Sequence, residues 1–193
     1  MSALQSLVEL LQGQRQHDER AHRDVYYLSY PRRLTHLTLH LSKYAARLGV
    51  PAVNPSVLSR TLVDTFIIAL SAAELLRLDI AGSLRAKGIE PDRCSSIMEV
   101  GNQLASHYPM SEAVIDWCFR QLATQAGHIA KALESLDHLE ALEYRAMMER
   151  SVNEVLAMSL VAAARLKLDL AELVPKRWAE FEARMSHGPH GAE

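Results

Sequence analysis

Cysteine is scarce: Cys94 and Cys118 are the two in the chain, and they form no CxxC or other metal-binding spacing. So sparse a pair excludes a disulfide-stapled secreted scaffold and points to a reduced, cytoplasmic setting. Charge of one sign is also missing. The 21 Lys and Arg against 23 Asp and Glu leave a formal net charge of −2, so no sequence-wide basic field exists to hold nucleic acid or an anionic membrane. Long hydrophobic runs are absent too, since residues 155–164, interrupted by Ser159, fall well short of the roughly 20 that a membrane span needs. Residues 1–11 carry a glutamate and no basic flank, unlike a targeting segment. Strand-type alternation is nearly lacking, and glycine and proline are few, 8 and 7 in 193 residues. These absences leave a soluble all-α chain, one domain over 1–185 with a flexible tail over 186–193.

Apolar residues recur at three- and four-residue spacing over most of the length. The pattern and its punctuation predict helices near 3–15, 18–29, 32–48, 56–78, 80–87, 95–106, 111–134, 139–167, 170–173 and 176–186. Asn54 before Pro55 reads as an N-cap with proline at the first helical position, Ser96 with Glu99 and Asp169 with Glu172 have capping-box spacing, and Pro175 opens a last helix. Two helices, 57–78 and 146–168, are apolar almost all round, which marks them for the centre of a bundle. Each carries one acid in its middle, Asp64 and Glu154.

Fifteen residues after each of those acids comes another, Asp79 in "LRLDIAGSL" and Asp169 in "LKLDLAELV". An earlier pair of stretches, "LTLHLSKYAARL" over 37–48 and "LATQAGHIAKAL" over 122–133, shares apolar residues at its first, eighth and twelfth positions and Ala at its ninth, and a Tyr-Pro dipeptide precedes each, Tyr30-Pro31 and Tyr108-Pro109, at an offset of 78. The copies align with an offset of 85 residues at Leu37 and Leu122 and 90 at Asp64 and Glu154. The spacing implies a tandem duplication, with half one over about 18–90 and half two over about 95–185, related by a pseudo-twofold axis.

The second copy, with "RSVNEVLAMSLVAAARLKLDLAELVPKRWAEFEAR" after it, resembles the MazG-type all-α nucleoside triphosphate pyrophosphohydrolases. In that family one helix carries ExxE with a glycine before the second Glu. The next carries ExxD and runs to a Gly-Ile-Asp-like stop, and a final helix holds a basic residue, an Asn and an Arg. Gln125 and His128 fall at the ExxE positions with Gly127 in place, Ser151 and Glu154 at ExxD, Asp169 at the stop, and Arg177, Phe181 and Arg184 at the final three. The first copy resembles the pattern more faintly, with His40 and Lys43 at ExxE and Thr61 and Asp64 at ExxD.

The resemblance implies a helical bundle that converts a nucleoside triphosphate to a monophosphate and pyrophosphate with Mg²⁺ held by carboxylates on two facing helices. Each half of this chain keeps one carboxylate of four, so the implied catalysis is lost or strongly altered. The alternative is a catalytically inactive bundle that serves as a nucleotide-binding or protein-interaction module. With the motif helices face to face, Lys43 is expected to replace the metal at Asp64, and His128 at Glu154. The candidate pocket residues are therefore His40, Lys43, Asp64, Gln125, His128 and Glu154.

Other candidates come from local chemistry. Tyr30, Arg32 and Arg33, next to Tyr26 and Tyr27, form an aromatic and basic patch that could hold a phosphate at a helix N-terminus. Arg177 and Arg184 could likewise grip phosphate. His36 and His40 stand at i, i+4, a spacing suited to zinc or iron with Asp64 as a third ligand. Glu19 and His22 have the ExxH spacing of di-iron bundles, but no second ExxH accompanies them, and they read as a solvated face. No nucleic-acid or membrane partner is expected, and the chain could be a monomer or a homodimer.

Overall fold

The computed structural model describes residues 2–51, 53–138 and 140–186. Of the tail expected over 186–193, Ser186 ends the last helix and residues 187–193 lie outside the described residues. Nine α-helices account for most of the described residues, and no strand occurs among them. They are α1 (Ala3–Ala21), α2 (Arg23–Tyr26), α3 (Tyr30–Leu48), α4 (Pro55–Leu76), α5 (Ile80–Ala86), α6 (Ile97–Leu104), α7 (Val114–Asp137), α8 (Tyr144–Arg165) and α9 (Leu170–Ser186). A 3₁₀ turn (Ala105–His107) follows α6.

The helix ends show why the chain turns where it does. Asn54 caps α4 by accepting from the Ser56 N–H at 2.9 Å, with Pro55 at the first position, where its missing N–H costs nothing. The two repeated "L-D-[IL]-A" stretches fold alike. Arg77 and Lys167 take left-handed φ of 54° and 55°. The Leu78 and Leu168 N–H groups then return to the carbonyls of Ala73 and Ala163 at 2.9 and 2.8 Å, which stops α4 and α8. Asp79 and Asp169 start the next helix, accepting from Gly82 N–H at 2.8 Å and Ala171 N–H at 3.0 Å. Both motif acids are therefore helix caps.

The helix expected over 18–29 is divided at His22 between α1 and α2, α7 is shifted three residues toward the C-terminus, and three further boundaries differ from expectation. α1 runs unbroken through the predicted gap near residue 16, because Gln14 and His17 are buried against the bundle and keep that turn on the inner face. α8 starts at Tyr144 and not near 139, since Lys131 Nζ and Ser135 Oγ both hold the Glu140 carboxylate at 3.0 Å and keep the connection a turn. α9 continues through Pro175, which removes only the bond to the Ala171 carbonyl, while Leu170, Val174 and Arg177 on either side are buried.

Four long helices build the core as a closed ring: α3 packs on α4 and α7, and α8 packs on α4 and α7. α4 and α8 are buried on nearly all sides, as their all-round apolar character predicts. α4 is long and apolar enough to cross a membrane, yet 67% of its most apolar window is covered by the bundle, so the core accounts for it. Phe66, Leu62 and Leu70 of α4 belong to the same buried cluster as Met158 and Leu160 of α8, each contributing about 1.5–3 kcal/mol by leaving water. α6 lies close on α8 because Gly101 has no side chain; a Cβ there would sit 2.9 Å from the Cβ of Ala164. α1 closes one side, packed on α4 and α9, and a cavity opens where these three helices meet α3.

Candidate functional site

Asp64 lies 4% exposed in the middle of α4, and Arg177 of α9 reaches it with Nε donating to Oδ1 at 2.6 Å and Nη2 to Oδ2 at 3.2 Å. Burial opposes the Arg177 charge, but the bonds to Asp64 and Glu180 outweigh it and raise the guanidinium pKa. Its remaining nitrogen donates to Glu180 at 2.6 Å, and its flat face stands 4.1 Å from the Phe181 ring centre. The acid is thus neutralised by Arg177 of α9, with Arg47 of α3 approaching Oδ2 at 3.9 Å, and not by Lys43, the partner expected from the sequence. The reason is reach: α9 lies across α4 and delivers a rigid fork matched to both carboxylate oxygens, whereas Lys43 projects along α3 toward His40.

Around this pair is a cavity of about 480 Å³. α3 contributes His40, Lys43, Tyr44 and Arg47; α4 contributes Arg60, Thr61 and Asp64; α9 contributes Arg177, Phe181 and Arg184; α1 closes it with Gln14, His17 and Asp18. The i, i+3, i+4, i+7 spacing from His40 to Arg47 puts the α3 group on one helix face. Five cations, Lys43, Arg47, Arg60, Arg177 and Arg184, face two lining carboxylates, Asp18 and Asp64. Lys43 touches no carboxylate: its Nζ lies 3.2 Å from His40 Nδ1 and 5.0 Å from the Tyr44 ring centre. Burial and then Arg47 lower its pKa, and burial and then Lys43 bring His40 down to about 4. The Tyr44 hydroxyl, pushed up by burial and by Asp64, stays protonated and lies 3.2 Å from the same His40 nitrogen.

Behind the cavity wall runs a buried polar chain. Trp178 Nε1 donates to Gln14 Oε1 at 2.6 Å, Gln14 Nε2 donates to Asp18 at 2.8 Å and Ser71 at 3.1 Å, and Ser71 donates to Asp18 at 2.7 Å. It locks α1 to α4 and α9 and so sets the shape of the cavity.

The other candidate acid lies elsewhere. Glu154 of α8 accepts from Lys87 Nζ at 2.8 Å and the Tyr108 hydroxyl at 2.7 Å. His128 instead pairs with Gln125 at 3.4 Å, so the expected His128–Glu154 contact is replaced by two residues from loops beside α5 and α6. Gln125, His128, Ser151 and Glu154 line a smaller hollow of about 260 Å³. The six candidate pocket residues therefore divide three and three between two cavities.

Tyr30, Arg32 and Arg33 line neither. Arg33 is 9% exposed, stacks 4.7 Å over Tyr26 and approaches Glu74 at 3.9 Å, so it braces α3 against α4. Arg32 and Tyr30 are exposed, with Tyr30 near Arg145. His36 and His40 are neighbours, with ring centres 4.6 Å apart, yet His36 opens to a side hollow with Tyr26 and Arg33. Among the described residues no three His, Cys, Asp or Glu side chains are grouped to hold a metal ion. Hard Mg²⁺ needs several oxygen ligands, and both candidate acids are already bonded to cations. The residues present do not fit Mg²⁺.

Arg47 and Arg60 went unnoticed as cavity residues in the sequence, although Arg47 stands one turn beyond Lys43. Neither Lys87, at the end of α5, nor Tyr108, marked in the sequence only by its Tyr-Pro repeat, signals a contact with Glu154, because only tertiary packing against α8 brings them there. No protein-family model, curated protein or solved structure matches the chain.

Proposed function

We propose that the protein is a binding module for a phosphorylated small molecule of nucleotide size, held in the cavity between α1, α3, α4 and α9. The observation that carries this reading is the charge of the cavity: five cations line it against Asp18, Asp64 and the Glu180 that Arg60, Arg177 and Arg184 share at its rim, and among the five Lys43 has no carboxylate within ion-pair distance. A volume of about 480 Å³ lies in the range typical of small-molecule sites, roughly 300–1,000 Å³. Positive side chains converging on a partly enclosed space attract a polyanion more strongly than they would in open water. A cytoplasmic nucleoside triphosphate is the natural candidate, and the two buried free thiols, Cys94 and Cys118, suit that reducing compartment.

A second reading is the pyrophosphohydrolase activity implied by the MazG-like pattern. It is favoured by the grouping of the motif-position residues into two hollows, one for each proposed half. The engagement of Asp64 by Arg177 and of Glu154 by Lys87 argues for the binding module.

Calorimetric titration with a nucleoside triphosphate and with inorganic triphosphate, with and without Mg²⁺, separates the two. The binding module predicts association without Mg²⁺, about tenfold weaker for Lys43→Ala or Arg47→Ala, which is about 1.4 kcal/mol, and no pyrophosphate release. Release that needs Mg²⁺ and disappears in Asp64→Asn or Glu154→Gln would establish the hydrolase instead. Neither ligand binding would overturn both.

A further inference from the structure

Among the described residues one buried side-chain nitrogen or oxygen has no hydrogen-bond partner, Nε2 of His17, and His17 is one of the residues that line the cavity. The side chain is 1% exposed. Its ring stacks on Trp178 at 6.0 Å between centres and 21° between planes, with Phe181 tilted against it at 6.1 Å and His22 edge-on at 5.4 Å. Aromatic faces therefore hold the imidazole in one orientation.

Its other nitrogen defines what Nε2 must be. Nδ1 lies 3.2 Å from Oε1 of Glu182, which also accepts from Arg20 at 3.2 Å. The hydrogen bond from His17 holds the Glu182 carboxyl below its ordinary range, so Glu182 is an ionised acceptor and has no proton to donate. Nδ1 must then carry the hydrogen. Burial lowers the pKa of His17 itself, so the ring is neutral with a single N–H. Nε2 is left as a bare lone pair, able only to accept, and buried acceptors are ordinarily satisfied.

That constrains the ligand. A phosphate oxygen at neutral pH is also an acceptor, and placing one against the Nε2 lone pair would be repulsive. The group that completes His17 must bring an N–H or O–H. We infer that His17 Nε2 accepts a hydrogen bond from an amino or hydroxyl group of the cavity's ligand, which makes that ligand a phosphorylated compound with such a donor, as a nucleotide is, and not a bare polyphosphate. This rests on the anion-binding reading of the cavity and adds a second pole to it: cations from α3, α4 and α9 take the phosphates, and α1 reads the donor.

The test compares adenosine triphosphate, whose nucleoside carries amino and hydroxyl donors, with inorganic triphosphate, which has no amino or alcohol group, both at a pH alkaline enough to leave the phosphates unprotonated. The wild-type protein is expected to bind the nucleotide at least tenfold more tightly, and His17→Phe to bring nucleotide affinity down to that of triphosphate while leaving the latter unchanged. Because His17→Phe also removes the bond to Glu182 and could unfold the chain, ¹⁵N-resolved NMR of the unaltered protein supplies an independent reading. Nδ1 should carry the proton in the free state, and the Nε2 resonance should move on saturation with adenosine triphosphate but not with triphosphate. Equal affinity for both ligands, equal loss of both in His17→Phe, or an Nε2 resonance indifferent to the nucleotide would overturn the inference, leaving a buried water as the partner and the anion site intact. If neither ligand bound the wild-type protein, the anion site would fall as well.

Discussion

Arg177 of α9 and Asp64 of α4, 113 residues apart, form a two-bond ion pair in the interior, with side chains 8% and 4% exposed. Removing Arg177 leaves Asp64 only the half-exposed Arg47, 3.9 Å away. Arg177→Met is expected to lower stability by about 3 kcal/mol, the low end for a broken buried pair, while Asp64→Asn combined with Arg177→Met recovers much of it. Lys43→Ala should change stability by less than about 0.5 kcal/mol, as for a surface substitution. Urea denaturation of the four proteins decides the matter, and a Lys43→Ala loss as large as that of Arg177→Met would refute the pairing.

Gly13 sets the separation of α1 from α9. A Cβ there would stand 2.6 Å from the Trp178 ring, so Gly13→Ala forces the indole away and strains its bond to Gln14. The expected loss is about 1–3 kcal/mol, as in other overpacked cores, accompanied by a changed tryptophan fluorescence spectrum. An alanine variant with unaltered stability and spectrum would show that the two helices separate without cost.

At the second acid the contrast is between a neighbour in space and a neighbour in motif. Lys87→Met removes a charged donor from half-buried Glu154 and should cost about 1–3 kcal/mol, with Tyr108→Phe behaving similarly. His128→Ala, at an exposed position, should cost less than about 0.5 kcal/mol. Thermal melts of the three variants check the order, and a His128→Ala loss above that of Lys87→Met would restore the partner expected from the sequence.

Histidines give the fold a pH dependence with a definite sign. Burial lowers His17, His36 and His40 from their ordinary 6.5, His40 to about 4. Their neutral forms are favoured in the folded chain, so their contribution is fully present above about pH 6.5. As pH falls from there toward 4, the unfolded chain takes up protons that the folded chain refuses, and stability drops by up to about 1.4 kcal/mol per pH unit for each histidine. Urea midpoints measured from pH 8 to pH 4.5 should be level at the alkaline end and then descend, less steeply in His40→Gln. A midpoint that rises on acidification would contradict the assignment.

What the sequence determined by itself is local. Periodicity made the chain all-α and singled out α4 and α8 as central, because an all-round apolar helix has nowhere else to go. Asn54, Ser96 and Asp169 were legible as caps, since a cap needs only neighbours a few residues away. Lys43, Asp64, Gln125, His128 and Glu154 were legible as candidates from their motif positions, and each does line a cavity. Partnership was not legible. Whether Asp64 meets Lys43 or Arg177, and Glu154 meets His128 or Lys87, depends on how helices far apart in the chain pack, and spacing along one helix carries no record of that. The buried lone pair of His17 belongs to the same class: a histidine in "RQHDER" reads as solvated until α9 folds over it, and only then do its neighbours determine which nitrogen holds the proton.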